Sequence, residues 1–354
     1  MPQGLSEIQY GEFSERTYTR SYLSGVPTHG HFELTFRCPL KCTFCYCACY
    51  TTPEHTHREL ATDEVLAILD EAAASGCLWM TFSGGDPFIR PDFRAIYDHA
   101  VGLGMIVSIF ASGLILTDEW LEHLKVFRPF KIELPLYGVT QETYEKVAGK
   151  PNSFHRAMAN IRRLLEAELP VKLKSAMLAT NVHEIAALRA FVEGELQLKF
   201  NPNYFIFAKL DGSTDHLKDR LPPREIARLI DLYGESACDS ATTSKDEDVG
   251  DGPNGQLFKC AAGINSFYIN PYGELNFCTY VRVKSYDLRQ GSLIEGVRVL
   301  REDLLARTRA EGSACTSCKV HASCKNCPGS AVVETGSMYG RSEYLCETNQ
   351  VIRG

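Results

Sequence analysis

Between residues 31 and 210 the apolar positions keep two alternating rhythms. Short, nearly continuous apolar runs read as buried strands, and apolar residues three or four positions apart read as helices. Strands are expected over 31–36, 78–82, 105–110, 131–136, 171–178 and 204–210, and helices over 62–74, 92–103, 117–126, 153–168 and 182–193. Thr62 suits the N-cap of the first helix, with Asp63 and Glu64 in its first turn and Val65, Leu66 and Leu69 on its apolar face. Phe154, Met158, Ile161, Leu164 and Leu165 form the apolar stripe of the fourth. Strands that alternate with helices favour a parallel sheet with right-handed crossovers. The rhythm alone does not separate an open sheet from a barrel. Glycine or polar residues follow several strands, as in Ser83-Gly84-Gly85-Asp86-Pro87, Ala111-Ser112-Gly113 and Tyr137-Gly138. Ligand sites gather at such strand ends in parallel α/β barrels.

Beyond residue 210 the rhythm breaks. Residues 211–255 hold an acidic stretch at 245–253 and a short helix near 223–235, and they read as a bridge or a solvated loop. Apolar runs at 266–270 and 275–278 flank Pro271-Tyr272-Gly273-Glu274, a β-hairpin signature. A helix is expected near 297–310. The chain thus divides into an N-terminal extension (1–30), an α/β unit (31–210), a bridging region (211–255) and a cysteine-rich unit (256–354).

Composition narrows the class. A hydrophobic content of 44% supplies a core, while a net charge of −7 argues against a general nucleic-acid binder. No apolar run is long enough to span a membrane, and residues 1–30 lack the apolar segment of a signal peptide. Of the 14 cysteines, five lie in 38–49 and six in 278–346. Clustering without an export signal predicts metal or redox use in a reducing cytoplasm rather than disulfide staples.

The first cluster is Arg37-Cys38-Pro39-Leu40-Lys41-Cys42-Thr43-Phe44-Cys45-Tyr46, with spacing C-x3-C-x2-C on a loop that leaves the first strand. Three thiolates so close can hold three irons of a [4Fe–4S] cluster. The loop offers no fourth ligand, so one iron is left open to bind a small molecule. The spacing also permits a zinc site or unrelated buried thiols, although zinc more often takes paired C-x2-C units. Cys47 and Cys49 adjoin the loop and are read first as small buried residues. In Ser83-Gly84-Gly85-Asp86-Pro87 two glycines let backbone approach a ligand, and its carbonyls can accept from an ammonium group.

The cysteine loop closely resembles that of the radical S-adenosylmethionine (radical SAM) enzymes. The resemblance implies a partial (β/α)6 TIM-like barrel. It implies that the open iron held by Cys38, Cys42 and Cys45 chelates the methionine part of SAM, and that one electron cleaves the sulfonium to a 5′-deoxyadenosyl radical. Gly84, Gly85 and Asp86 match the loop that holds the SAM amino group, with Asp86 in place of the usual Glu. Phe44 matches the residue near the adenine and equally suits core packing, and Ser112 matches the polar residue at the end of the third strand or caps its loop. Pro135 stands where many relatives carry a serine.

The C-terminal cysteines resemble the SPASM extension of the same enzymes, a small cysteine-rich domain with a β-hairpin and helices. Carried over by position, Cys315, Cys318, Cys324 and Cys346 would ligate one auxiliary [4Fe–4S] cluster, and Cys260, Cys278 and Cys327 another. The fourth ligand of the latter is open between Cys238, a carboxylate such as Asp251, water and substrate, or its fourth iron is left open. The run ends in C-x2-C where the family has C-x3-C. A zinc ribbon is the alternative for the set, though no histidine repeat accompanies it.

The resemblance implies SAM and three [4Fe–4S] clusters. It implies a cytoplasmic oxidoreductase that modifies a substrate, first a ribosomally made peptide, by a crosslink, thioether, carbon–carbon bond or dehydrogenation. An external donor such as a flavodoxin or ferredoxin would supply electrons, and a separate protein or the barrel itself would recognise any leader peptide. Neither nucleic acid nor membrane is an expected partner. The alternatives are a maturase that oxidises a Cys or Ser of a protein, an enzyme of tetrapyrrole or sugar metabolism, and a non-catalytic iron–sulfur or zinc protein. No residue declares itself an acid or base. Glu133 and Tyr137, near the end of the fourth strand, either face the cavity or pack.

Overall fold

A computed structural model describes residues 8–234, 257–258, 260–309, 315, 318–320, 324 and 327–353. In chain order its elements are α1 (Tyr10–Ser24), β1 (His29–Thr35), α2 (Pro53–Thr56), α3 (Thr62–Ala74), β2 (Trp79–Gly84), α4 (Phe93–Gly102), β3 (Ile106–Phe110), α5 (Asp118–Val126), β4 (Lys131–Pro135), α6 (Gln141–Ala148), α7 (Phe154–Glu166), β5 (Val171–Ala176), α8 (Ile185–Ala190), β6 (Pro202–Asn203), α9 (Pro223–Tyr233), β7 (Ser266–Ile269), β8 (Glu274–Asn276), β9 (Tyr286–Asp287), α10 (Leu293–Leu305), α11 (Pro328–Thr335) and α12 (Glu343–Arg353). They build one sheet in the order β6-β5-β4-β3-β2-β1-β7-β8-β9. Strands β1 to β6 run parallel to their neighbours, as an α/β alternation requires. The sheet is open, with β6 and β9 at its edges.

Each strand presents two unlike faces. Phe32 and Leu34, Met80 and Phe82, Val107 and Ile109, and Ile132 and Leu134 are buried in the main core. There Phe82 meets Phe93 of α4 at 5.9 Å between ring centres, and Phe93 meets Trp120 of α5 at 5.3 Å. Burying each such ring stabilises the fold by about 2–3 kcal/mol. The opposite face is polar: His31, Ser83, Glu133 and Lys174 contact one another in pairs across it, with Phe110 among them. A sheet buried on one face by helices and lined on the other by ionisable groups is shaped to hold a polar ligand.

The hairpin of β7 and β8 does not stand apart. β7 pairs in parallel with β1, His29 opposite Ser266 and Phe32 opposite Ile269, so it covers the edge β1 would otherwise expose. α10 packs on α3, and the backbone N–H of Leu60 donates to the Pro271 carbonyl at 2.8 Å.

Several elements differ from expectation for definable reasons. α1 arises in the polar N-terminal stretch, where Tyr10, Phe13, Tyr18 and Tyr22 recur at roughly helical spacing. It lies across the start of the sheet. Tyr10 accepts a hydrogen bond from Trp79 Nε1 at 2.9 Å and stacks near Phe130, while Phe13 lies against Trp79. The N-cap of α3 is Ala61, not Thr62. Glu64 accepts from the Ala61 N–H at 2.7 Å, and the Thr62 hydroxyl donates to Asp92 instead. The strand expected over 204–210 is only Pro202–Asn203, because the chain then turns away: Asn203 Oδ1 accepts from Phe205 N, and Leu210 N reaches the Tyr46 carbonyl at 3.0 Å. The helix expected over 182–193 is a 3-10 turn, α8 and a π-helical turn over Phe191–Glu195. α6 and the short α2 are additions. The acidic stretch at 245–253 lies outside the described residues.

Candidate functional site

The cysteine loop begins where β1 ends and is clamped on both sides. At its start the Thr35 hydroxyl bonds Glu59, whose other oxygen pairs with Arg37 at 3.0 Å. Further on, Lys41 N donates to the Ala148 carbonyl and Thr43 N to that of Val147, each at 3.0 Å, against the end of α6. A side chain at Gly149 would place Cβ 2.0 Å from the Lys41 carbonyl oxygen, so this helix end must be glycine, which also supplies the φ of 62°. The loop then closes with Cys45 N donating to the Cys42 carbonyl at 3.1 Å.

These clamps bring Cys38, Cys42 and Cys45 within electrostatic range of one another. Burial pushes the Cys38 thiol well above its ordinary range and the Cys42 thiol up to about 12. The Tyr137 hydroxyl lies 3.4 Å from the Cys42 sulfur. Cys45 goes the other way: the Cys47 thiol, 3.5 Å off, holds its pKa down. Among the described residues no three His, Cys, Asp or Glu are grouped to hold a single metal ion. A four-iron cluster takes its thiolates on separate irons, and cysteine sulfurs such as these three are its usual donors. Thiols that burial keeps neutral become thiolates when a cationic centre binds, with release of protons.

The loop after β2 sits directly on this one. Gly85 N donates to the Thr35 carbonyl at 2.7 Å and Asp86 N to that of Arg37 at 2.9 Å. A Cβ at Gly84 would lie 2.0 Å from the Thr35 oxygen, and one at Gly85 2.2 Å from the Arg37 oxygen. The space the glycines leave is thus filled by backbone of the cysteine loop. Asp86 is fully buried. One carboxylate oxygen accepts from Phe88 N at 3.0 Å, and the other from both the backbone N–H (3.1 Å) and the hydroxyl of Ser112. Burial raises its pKa to about 6, opposed by those donors. Asp86 and Ser112 therefore join the ends of β2 and β3.

Phe44 packs edge-on against Tyr137 at 5.4 Å, and Tyr137 stacks on Tyr144. Glu133 is buried on the polar face of the sheet, 2.5 Å from Lys131 Nζ and 2.6 Å from Lys174 Nζ. Both ammonium groups lie over the Phe110 ring. His31, which bonds Ser83, is held near pKa 4 by burial and by the same two lysines.

One buried group escaped the sequence reading. Glu33 of β1 accepts hydrogen bonds from the phenols of Tyr46 and Tyr268 and lies 3.6 Å from Arg282 Nη2. Its signal was a carboxylate at the centre of an apolar strand, which only buried partners can sustain.

The C-terminal cysteines are placed in part. Cys278 is partly buried, and desolvation of its thiol pushes it up to about 12, with Cys327 and Cys260 as the next contributors, so these three lie within electrostatic range of one another. Tyr280 is similarly in range of Cys327 and Cys278 on one side and of Cys45 and Cys47 on the other. Cys318 N donates to the Cys315 carbonyl at 3.3 Å, a tight C-x2-C turn. Cys315, Cys318, Cys324 and Cys346 are partly exposed. Cys238 and Asp251 fall outside the described residues. No helix among the described residues is long and apolar enough to cross a membrane.

Comparison with known proteins agrees with this geometry. The chain is 25% identical over 347 residues to the AdoMet-dependent heme synthase of Methanosarcina barkeri, covering 91% of this chain and 97% of the relative. It is 30% identical over 161 residues to the PqqA peptide cyclase of Bradyrhizobium diazoefficiens, and 35% over 153 residues to that of Granulibacter bethesdensis. It spans only 42% and 40% of those two relatives. Among solved structures, Streptococcus suis SuiB bound to S-adenosylmethionine superposes with a TM-score of 0.71 at 16% identity, covering 96% of this chain and 84% of that one. The anSMEcpe structure with bound AdoMet gives 0.68 at 12% identity, covering 92% and 95%. At such identities the likeness is one of fold. The model of the radical SAM superfamily matches residues 32–192, the stretch from β1 through α8, and the chain carries a radical SAM domain there.

Proposed function

We propose that the chain is a radical SAM enzyme whose Cys38, Cys42 and Cys45 hold a [4Fe–4S] cluster with one open iron, and that it oxidatively modifies a peptide. The observation that supports it most is the meeting of three half-buried cysteines at the end of β1, beside the loops of Gly84-Gly85-Asp86 and Ser112, within a radical SAM domain. When bound, the cluster and SAM supply a 5′-deoxyadenosyl radical that removes a hydrogen atom from an unactivated carbon. The chain's own residues do the holding. Gly84 and Gly85 would offer backbone carbonyls to the polar end of SAM, with Asp86 and Ser112 completing that wall by bracing the loop, and Phe44 would pack near its adenine. Tyr137 fixes the Cys42 sulfur, and α6 fixes the loop backbone.

Cys260, Cys278 and Cys327 would hold one auxiliary cluster, and Cys315, Cys318, Cys324 and Cys346 the other, to take up the electron left on the substrate. An external donor such as a flavodoxin or ferredoxin, a separate leader-recognition protein and a cytoplasmic setting complete the reading. The peptide substrate draws support from the relatives named PqqA peptide cyclase and from the SuiB structure bound to precursor peptide SuiA. One observation favours a second reading, a tetrapyrrole-like small molecule: the heme synthase matches nearly the whole chain, the peptide cyclases less than half.

Anaerobic reconstitution followed by SAM and dithionite tests both levels. About twelve irons per chain with 5′-deoxyadenosine formed is the expected result. Replacing Cys38, Cys42 and Cys45 together by Ala should abolish cleavage while about eight irons remain. Cleavage in that variant would overturn the site, and about four irons in the intact chain would overturn the auxiliary set.

A further inference from the structure

Glu33 is the most deeply buried carboxylate beside the cysteine loop that the proposed reaction does not use. It has no exposed surface. Tyr46, the residue after Cys45, donates its phenol proton to one carboxylate oxygen, and Tyr268 of β7 donates to the other. Arg282 completes the group. Its Nη2 donates to the Tyr268 hydroxyl at 2.9 Å and lies 3.6 Å from Glu33. Its guanidinium lies over the rings of Phe36, Tyr50 and Tyr268 at 5.7, 5.7 and 5.6 Å. The Tyr268 oxygen accepts from Arg282, so its proton turns to Glu33, and a phenol donor on each oxygen with a guanidinium 3.6 Å away favours the ionised carboxylate. Burial raises the Glu33 pKa, and Arg282 and the two phenols oppose that rise.

The arrangement places a fully buried negative charge and a largely buried positive one beside the cysteine loop. Charges so placed act over longer distances than surface charges and are little screened by salt. The carboxylate is held by the phenol of Tyr46, the residue that follows Cys45 in the loop. An ion pair used only as a fastener would not need to be ionic, since apolar residues of similar volume serve as well.

We propose that Glu33 and Arg282 are a positioning pair that sets the reduction potential of the cluster held by Cys38, Cys42 and Cys45. The inference rests on the cluster reading given above. The step concerned is the gain of one electron by the oxidised cluster from an external one-electron donor. The Glu33 charge opposes the added electron, and Arg282, brought from beyond β8, offsets it. The potential of the first cluster thus depends on the C-terminal region being docked.

The test is an EPR-monitored redox titration of the full-length reconstituted chain, following the signal that SAM perturbs. Glu33→Gln should raise the ratio of reduced to oxidised cluster at a fixed poise about tenfold, an upward shift of about 59 mV in midpoint. The double variant Glu33→Gln/Arg282→Met should return to within about threefold of the wild type, because both charges are gone. Should Glu33→Gln take up no iron, Arg282→Met at alkaline pH must move the midpoint the opposite way, while Arg282→Lys leaves it in place. A double variant as far from the wild type as the single one would mean a fastener only and would overturn the pair's role. Equal midpoints in all variants would do the same while leaving the cluster reading intact. A wild-type chain with no SAM-perturbed signal would overturn the cluster reading itself, and this inference with it.

Discussion

Tyr137 reaches the Cys42 sulfur with a single hydroxyl, so Tyr137→Phe removes that contact and little else. Iron content should stay within a fifth of the wild type, on the order expected for loss of one weak hydrogen bond. 5′-deoxyadenosine formation should fall roughly three- to tenfold, the equivalent of about 1 kcal/mol. Unchanged cleavage would mean that the hydroxyl is only packed there. His29 carries a different prediction. Its ring stacks on Trp79 at 4.5 Å, and burial holds its pKa near 4, against 6.5 when exposed. The folded form therefore binds fewer protons than the unfolded chain between these values, and stability must fall as the pH drops from 6.5 toward 4. The loss attributable to His29 is at most about 3 kcal/mol. His29→Phe keeps an aromatic ring on Trp79 and should flatten the melting temperature over that window. A profile as steep as the wild type's would assign the acid sensitivity elsewhere, with His31 the first suspect.

At the level of elements, the turn after β2 is where sequence and structure part most usefully. Gly84 is at φ 121°, and a methyl group there would lie 2.0 Å from the Thr35 carbonyl oxygen. Gly84→Ala should cost about 3 kcal/mol or more and reduce iron uptake, since relief requires the cysteine loop to shift. Gly102→Ala meets nothing within 4 Å at the end of α4 and should instead stabilise by about 0.5 kcal/mol. Thermal melts and iron counts of the two variants check the opposite signs. The sequence showed that two glycines followed the strand. It did not show that the crowding partner is the protein's own backbone, because that depends on β1 and β2 lying side by side. Apart from α6, the helices and strands of 62–176 were legible because apolar residues recur at helical spacing in the helices and run nearly unbroken in the strands. β6 was not: its apolar residues are buried after the chain has left the sheet, and apolar runs look alike in both settings. α1 was hidden by polar residues between its aromatic ones. Glu33, its two phenols and Arg282 come from four separated stretches, and no local pattern joins them.

For the whole molecule, the pairing of β7 with β1 is decisive. A chain cut at residue 256 would lose β7, the partner of His29–Phe32, and also Tyr268 and Arg282, two of the three partners of Glu33. It would expose a strand edge and an unpaired buried carboxylate together. Such a fragment should be insoluble or aggregate, as measured by soluble yield and light scattering. A soluble fragment with the circular dichroism expected of a folded α/β core would show that β7 is dispensable to the sheet. The same pairing explains why cysteines at opposite ends of the chain come near one another. Cys278 and Cys327 share their interaction range with Tyr280, which also reaches Cys45 and Cys47.

The pairing also sets a clock. Tyr268 binds Glu33 across 235 residues of chain. A ribosome that adds 5–20 residues per second would take roughly 10–50 s to cover that interval. Throughout it β1, already emerged, has β2 on one side and nothing yet on the other. Nascent chains of this protein should therefore lean on chaperones longer than their size suggests, and slowed translation before β7 is made should lower the yield of native protein more than the same delay after it.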